Sequence, residues 1–170
     1  LFFVLISWLV SLEGSPVTWS PWYFGVRVGE ASHPGPDTPE GVTRLASANI
    51  TSLERQYASV VTMNADVIAL QETRLNDLAQ KEFTKKLDND NWQAFWGKPQ
   101  PPQKRDRPSS SPWNATHGGV GVLVRKGIAA QRGPVDTAVR KELWETNRWV
   151  HVMIACGSGN DVFHVICLYG

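Results

Sequence analysis

Two side chains able to offer oxygen to a hard cation, the Asn49 amide and the Glu72 carboxylate, each stand at the end of a short apolar run. In an α/β sheet the carboxyl ends of neighbouring strands collect their last residues in one crevice. A strand ending at Asn49 beside one ending just before Glu72 would therefore let an amide oxygen and a carboxylate share a divalent ion. Mg²⁺ suits such a pair, because it takes oxygen ligands, keeps several waters, and can touch a phosphate while polarising water. Two protein groups alone leave the site underbuilt. The residues by themselves also permit a plainer reading, in which Asn49 makes a turn or cap and Glu72 opens a solvated loop.

The elements that must position these groups can be read from the apolar pattern. Residues 42–50, with Leu45 and Ala46, read as a short buried strand, and Thr51 with Glu54 three residues later has the form of a capping box for a helix carrying Tyr57, Val60 and Val61. Val67-Ile68-Ala69-Leu70 is a compact run of the kind covered on both faces. Strand, helix and strand thus follow within roughly thirty residues, the size of one α/β unit. Asn76 can cap a second helix that buries Ala79, Phe83 and Leu87 and leaves Lys81, Glu82, Lys85 and Lys86 mostly in water. Residues 92–96 alternate as a strand, with Trp92, Ala94 and Trp96 on one side and Gln93 on the other. Residues 118–124 form a glycine-assisted strand. Residues 148–155 and 161–169 form a hairpin through Gly157-Ser158-Gly159-Asn160. An early βαβ unit followed by paired strands argues for a mixed, layered α/β fold.

Composition sets the outer limits. The 170 residues are 42% hydrophobic, enough for one core, and the net charge of +1 gives no global field that selects or excludes nucleic acid. Cys156 and Cys167 sit in or near apolar runs without metal-site spacing and read as buried thiols. Residues 1–40 read as an apolar leader and a Pro/Gly-rich linker, and 41–170 as the domain. Within the domain, 98–116 reads as a disordered insertion rich in proline and basic residues. The first ten residues are too few to span a bilayer. The expected location is intracellular or nuclear with no stable membrane partner, and secretion or membrane association is the alternative that the apolar start leaves open.

Four segments carry a resemblance. Asn49-Ile50-Thr51-Ser52-Leu53, then Ala65-Asp66-Val67-Ile68-Ala69-Leu70-Gln71-Glu72-Thr73, then residues 117–125, His-Gly-Gly-Val-Gly-Val-Leu-Val-Arg, and finally Val165-Ile166-Cys167-Leu168-Tyr169-Gly170 stand in order. Together they resemble the endonuclease/exonuclease/phosphatase family from about Arg44 onward. The resemblance implies the amino-terminal part of a four-layered α/β/β/α sandwich with mixed sheets. It implies that Glu72 is the principal metal carboxylate and that Asn49 assists the metal. It also implies that Tyr169 lies near the scissile phosphate, and that the cofactor is Mg²⁺, with Mn²⁺ as a substitute. The family's Asp-x-Asn and Asp-His motifs belong after Tyr169. The expected activity, phosphodiester hydrolysis by water, is therefore assigned to a complete parent protein rather than to these residues alone.

The Gly29-Glu30-Ala31-Ser32-His33-Pro34-Gly35-Pro36 leader and the Asn49 to Gln71-Glu72-Thr73 opening look most like endonuclease domains at the front of non-long-terminal-repeat retroelement polyproteins. That implies DNA as the partner and a reverse transcriptase downstream. Two alternatives remain: a degenerate, non-catalytic mobile-element remnant, and a phosphatase or lipid phosphodiesterase of the same family. Arg125 and Arg148 could touch a nucleic-acid backbone, but isolated arginines ordinarily face solvent, so neither is assigned to the site.

Overall fold

The computed structural model describes residues 2–6, 22–23, 26–27, 43–99, 118–155 and 162–169. In chain order the elements are β1 (Phe2–Ile6), β2 (Trp22–Tyr23), β3 (Val26–Arg27), β4 (Leu45–Asn49), α1 (Leu53–Val61), β5 (Val67–Gln71), α2 (Asp77–Asn89), β6 (Trp92–Trp96), β7 (Val120–Arg125), β8 (Ala130–Arg132), α3 (Ala138–Glu145), β9 (Trp149–Ala155) and β10 (Val162–Leu168). The Pro/Gly-rich part of the segment expected at 1–40, most of the insertion expected at 98–116, and the turn expected at 157–160 lie outside the described residues, as does Cys156.

Two four-stranded sheets form the body, ordered β4-β5-β7-β6 and β1-β10-β9-β8, with β2 and β3 as a separate antiparallel pair. Both larger sheets are mixed. β4 and β5 run parallel, while β7 is antiparallel to β5 and to β6; β1 and β10 run parallel, while β9 is antiparallel to β10 and to β8. The molecule is an α/β fold with mixed sheets flanked by helices, as the sequence pattern implied. Among the described residues no helix is long and apolar enough to cross a membrane.

The alternation of side chains along the strands builds two cores. Ile68 and Leu70 of β5, Leu123 of β7, and Trp92 and Trp96 of β6 point toward α1 and α2, where they meet Leu53, Tyr57, Val60, Ala79 and Leu87. From the opposite face, Val67, Ala69, Val120, Val122 and Val124 meet Val150, Val152, Ile154, Val165 and Cys167 of the second sheet. β5 is buried along its whole length, which explains why its sequence is a continuous apolar run rather than an alternating one. Gly121 of β7 lies under Trp96, where an added Cβ would stand 2.6 Å from two ring carbons. Only the smallest residue leaves room there for the indole.

The local expectations hold in part. Asn76 caps α2 by accepting from the Ala79 N–H at 2.9 Å. The expected Thr51–Glu54 capping box does not form. Ser52 is the N-cap of α1, and its side chain makes no capping bond. Thr51 instead takes φ 53° and donates its N–H to Asn49 Oδ1 at 3.3 Å, so an asparagine turn replaces the cap. β8 and α3 carry no clear apolar period and were not anticipated; α3 has no buried residue at all.

The two sheets are tied at one end by polar contacts through an otherwise apolar layer. Gln71, fully buried at the last position of β5, donates from Nε2 to the Leu168 carbonyl at 2.9 Å, and the Cys167 thiol donates to the Leu70 carbonyl at 3.4 Å. Burial pushes that thiol up to about 12, so it stays protonated. Replacing Gln71 by Ala removes this bond to the Leu168 carbonyl and should lower stability in urea unfolding by about 1–3 kcal/mol. Lys85→Ala, on the exposed face of α2, should change it by less than about 0.5 kcal/mol. Equal effects of the two substitutions would remove Gln71 from its role as a tie.

On the outer face of the second sheet, His151 and His164 stack with ring centroids 5.1 Å apart and His151 Nε2 2.9 Å from His164 Nδ1. His151 is buried, and its Nδ1 finds no hydrogen-bond partner among the described residues. Burial, then the neighbouring His164, then Arg140 on α3 hold His151 below the ordinary histidine value. A folded-state value below the unfolded one means that the neutral ring stabilises the fold above the ordinary histidine range, and that this contribution is lost as pH falls through the depressed value. The urea midpoint should therefore drop between about pH 7.5 and about pH 5, and His151→Leu should flatten that drop. An unchanged pH profile in the variant would exclude His151 as its source.

Candidate active site

The parallel pairing of β4 with β5 puts Asn49 opposite Gln71, so the residue after Gln71 emerges beside Asn49 at the carboxyl end of both strands. Asn49 Nδ2 donates to Glu72 Oε1 at 3.2 Å. The tie between Gln71 and Leu168 brings the end of β10 to the same place, and the Tyr169 hydroxyl donates to the same Glu72 oxygen at 3.0 Å. The three residues named from the sequence therefore meet, with the Glu72 carboxylate at the centre.

The backbone at the site is held in an unusual form. Glu72 and Arg74 both have φ of 55°, and Thr51 facing them has φ of 53°. Left-handed backbone costs a non-glycine residue roughly 1–2 kcal/mol, and such strain collects where surrounding contacts over-determine the geometry. Those contacts are present. The Thr73 N–H donates to the Gly119 carbonyl at 3.1 Å, the Arg74 N–H to the Gly118 carbonyl at 2.9 Å, and the Leu53 N–H to the Thr73 carbonyl at 3.2 Å. The segment Gln71-Glu72-Thr73-Arg74 is thus fixed from β7 on one side and α1 on the other, with Gln71 and Thr73 buried and Glu72 turned partly outward.

Two arginines complete the electrostatics. Arg74 Nη2 lies 3.5 Å from Glu72 Oε2, with side chains 37% and 17% exposed respectively. The Arg148 guanidinium stands 5.8 Å from the Tyr169 ring centroid, and the Tyr169 N–H donates to the Arg148 carbonyl at 3.0 Å. The Tyr169 phenol is raised above its ordinary value, first by burial, then by its hydrogen bond to Glu72 and by that residue's charge, while Arg148 and Arg74 oppose the rise. It remains a hydrogen-bond donor well into alkaline pH. Arg74 was not anticipated as part of this group, although its place directly after Gln71-Glu72-Thr73 was visible in the sequence.

The donor set fits a hydrated hard cation. Glu72 is a partly exposed carboxylate that the Asn49 amide, the Arg74 guanidinium and the Tyr169 phenol contact among the described residues, and Mg²⁺ is commonly held by one or two carboxylates together with waters and phosphate oxygens. The Asn49 oxygen accepts from Thr51 in the present orientation. Rotating the amide would exchange it with the nitrogen beside Glu72, and the two orientations of an amide are distinguished only by its hydrogen-bond network. Among the described residues no group of three or more His, Cys, Asp or Glu is gathered closely enough to cage a metal.

Other candidates lie elsewhere. Arg125 sits over the Trp92 ring at 3.8 Å and donates to the carbonyls of Ala65 and Met63. Because β7 is antiparallel to β5, it stands at the Val67 end of the sheet, opposite Glu72. It locks a corner of the fold. His33 and His117 fall outside the described residues, as do Lys104, Arg105 and Arg107.

A solved structure of the 3' phosphatase NExo from Neisseria, bound to a product DNA hairpin, is similar to this chain at 21% identity, over 74% of this chain and 40% of that one, with a TM-score of 0.44. This chain thus spans less than half the length of that protein. No curated protein matches the chain in sequence. Residues 32–157, well over half of the chain, match the Endonuclease/Exonuclease/phosphatase family, and the chain belongs to that family.

Proposed function

We propose that Asn49, Glu72 and Tyr169 form part of a divalent-metal site that hydrolyses phosphodiesters, with DNA as the substrate and the work done in a complete parent protein. The observation that carries this reading is the convergence of Asn49, Tyr169 and Arg74 on one partly exposed carboxylate at the carboxyl ends of β4 and β5. Glu72, assisted by the Asn49 oxygen, would hold Mg²⁺, with Mn²⁺ as a substitute. When bound, the ion supplies charge neutralisation at a phosphate and polarisation of water. The Tyr169 hydroxyl, kept protonated by its surroundings, can donate to a phosphate oxygen as charge builds on it. In the overall reaction a water oxygen bonds to phosphorus in line with the leaving ester oxygen, which departs with a proton. None of the three residues is assigned removal of the proton from water.

The choice of DNA, and of a retroelement polyprotein with a reverse transcriptase downstream and nuclear work to do, is supported by the likeness of the Gly29–Pro36 leader and of the Asn49 to Thr73 opening to such endonuclease domains. The near-neutral net charge places the burden of DNA recognition on local groups such as Arg74 and Arg148 rather than on a global field.

A protein carrying this segment together with the family's later motifs should nick supercoiled plasmid DNA in Mg²⁺. Glu72→Ala should reduce the rate by about a hundredfold or more, and Tyr169→Phe by about a hundredfold, the scale for removing one donor to developing charge. Turnover of inositol phosphates or sphingomyelin without nicking would replace DNA as the substrate. Full activity in Glu72→Ala would dismiss the site.

A further inference from the structure

Arg74 is poorly satisfied for a group with five donors. Its Nε is buried and finds no hydrogen-bond partner among the described residues. Its Nη2 reaches Glu72 only at 3.5 Å, beyond the usual range for a nitrogen donor. Its backbone is in the left-handed region and is pinned by the Gly118 carbonyl, so the loop keeps the residue beside Glu72 while the side chain can still turn. Meanwhile more than a third of the side chain remains exposed. A cation whose contact to its carboxylate is long and whose side chain reaches solvent can turn toward an anion that arrives from outside.

The charges determine when it is free to take one. With no metal bound, Arg74 is paired with the Glu72 carboxylate and balances its charge. With a divalent ion on Glu72, that locus changes from one negative charge to one positive charge, and attraction of Arg74 becomes repulsion. The guanidinium must then find another partner. A phosphate oxygen is the natural one, since the planar fork of arginine matches phosphate geometry.

We infer that Arg74 is a counterion that changes partners, paired with Glu72 before a divalent cation binds and with a substrate phosphate oxygen afterwards. This rests on the reading of Glu72 as a cation ligand given above. The exchange couples the two binding events, because displacement of Arg74 opposes the cation when it binds alone and favours it when a phosphate is present. By linkage the coupling is reciprocal.

The test is Mn²⁺ titration, followed by electron paramagnetic resonance, of a protein carrying this segment together with the family's later motifs, with and without inorganic phosphate, in wild type, Arg74→Gln, Arg74→Lys and Glu72→Gln. Without phosphate, Arg74→Gln should bind Mn²⁺ roughly three- to tenfold more tightly than wild type, because the competing charge is gone. Arg74→Lys, which keeps the charge, should stay near wild type. The tightening of Mn²⁺ binding by phosphate should be several-fold smaller in Arg74→Gln than in wild type, and Glu72→Gln should abolish Mn²⁺ binding. If Glu72→Gln abolishes binding but Arg74→Gln leaves the affinity unchanged or weaker, the exchange of partners is overturned while Glu72 stands as the ligand. If wild type binds no Mn²⁺, or Glu72→Gln binds it normally, the exchange and the proposed metal site fall together.

Discussion

The hydrogen bond from buried Gln71 to the Leu168 carbonyl is the constraint on which the site depends. Two mixed sheets packed through valine, isoleucine and alanine side chains can slide by small amounts without losing much apolar contact, because the hydrophobic effect has no direction. A hydrogen bond has direction. By fixing the last residue of β5 against the last residue of β10, it ensures that the next residue on each strand, Glu72 and Tyr169, arrives within 3.0 Å of the other. The Cys167 thiol adds a second, weaker contact one residue earlier.

From that junction the chain leaves the sheet through a strained path. Glu72 and Arg74 both occupy left-handed backbone, separated by a Thr73 that is buried and bonded to Gly119. The alternation sends the buried residues inward and the charged pair toward the opening of the crevice. Gly118 and Gly119 themselves have positive φ, and their carbonyls receive the Arg74 and Thr73 N–H groups. The glycine-rich entry to β7 is thus a support for the Glu72 loop as well as the start of a strand. The remaining contacts define the chemistry: a carboxylate met by an amide, a phenol and a guanidinium, with a second guanidinium beside the phenol.

The apolar pattern made much of the fold legible. The continuous run at Val67–Leu70 signals a strand covered on both faces, and β5 is the buried centre of its sheet, with a helical layer on one side and the second sheet on the other. Trp92, Ala94 and Trp96 alternate with Gln93, and the indoles face α2 while Gln93 donates to the Ile128 carbonyl. Where the pattern was silent, the reason is physical. β8 has three residues, and α3 buries none of its side chains, so neither needs an apolar period to persist. The cap of α1 was misread because Thr51 and Asn49 compete for the same turn, and local asparagine geometry prevailed over the capping box.

The sequence by itself determined which groups were available and at which strand ends they stood: an amide at Asn49, a carboxylate at Glu72 and a phenol at Tyr169, each directly at or after an apolar run. It also carried the family's order of segments. Tertiary structure decided that all three meet at one carboxylate, that Arg74 joins them, and that Arg125 stands at the far end of the sheet instead. The reason is that spacing along one strand follows from the backbone repeat, whereas distance between strands depends on pairing direction, sheet stacking and a buried glutamine that joins residues 97 positions apart.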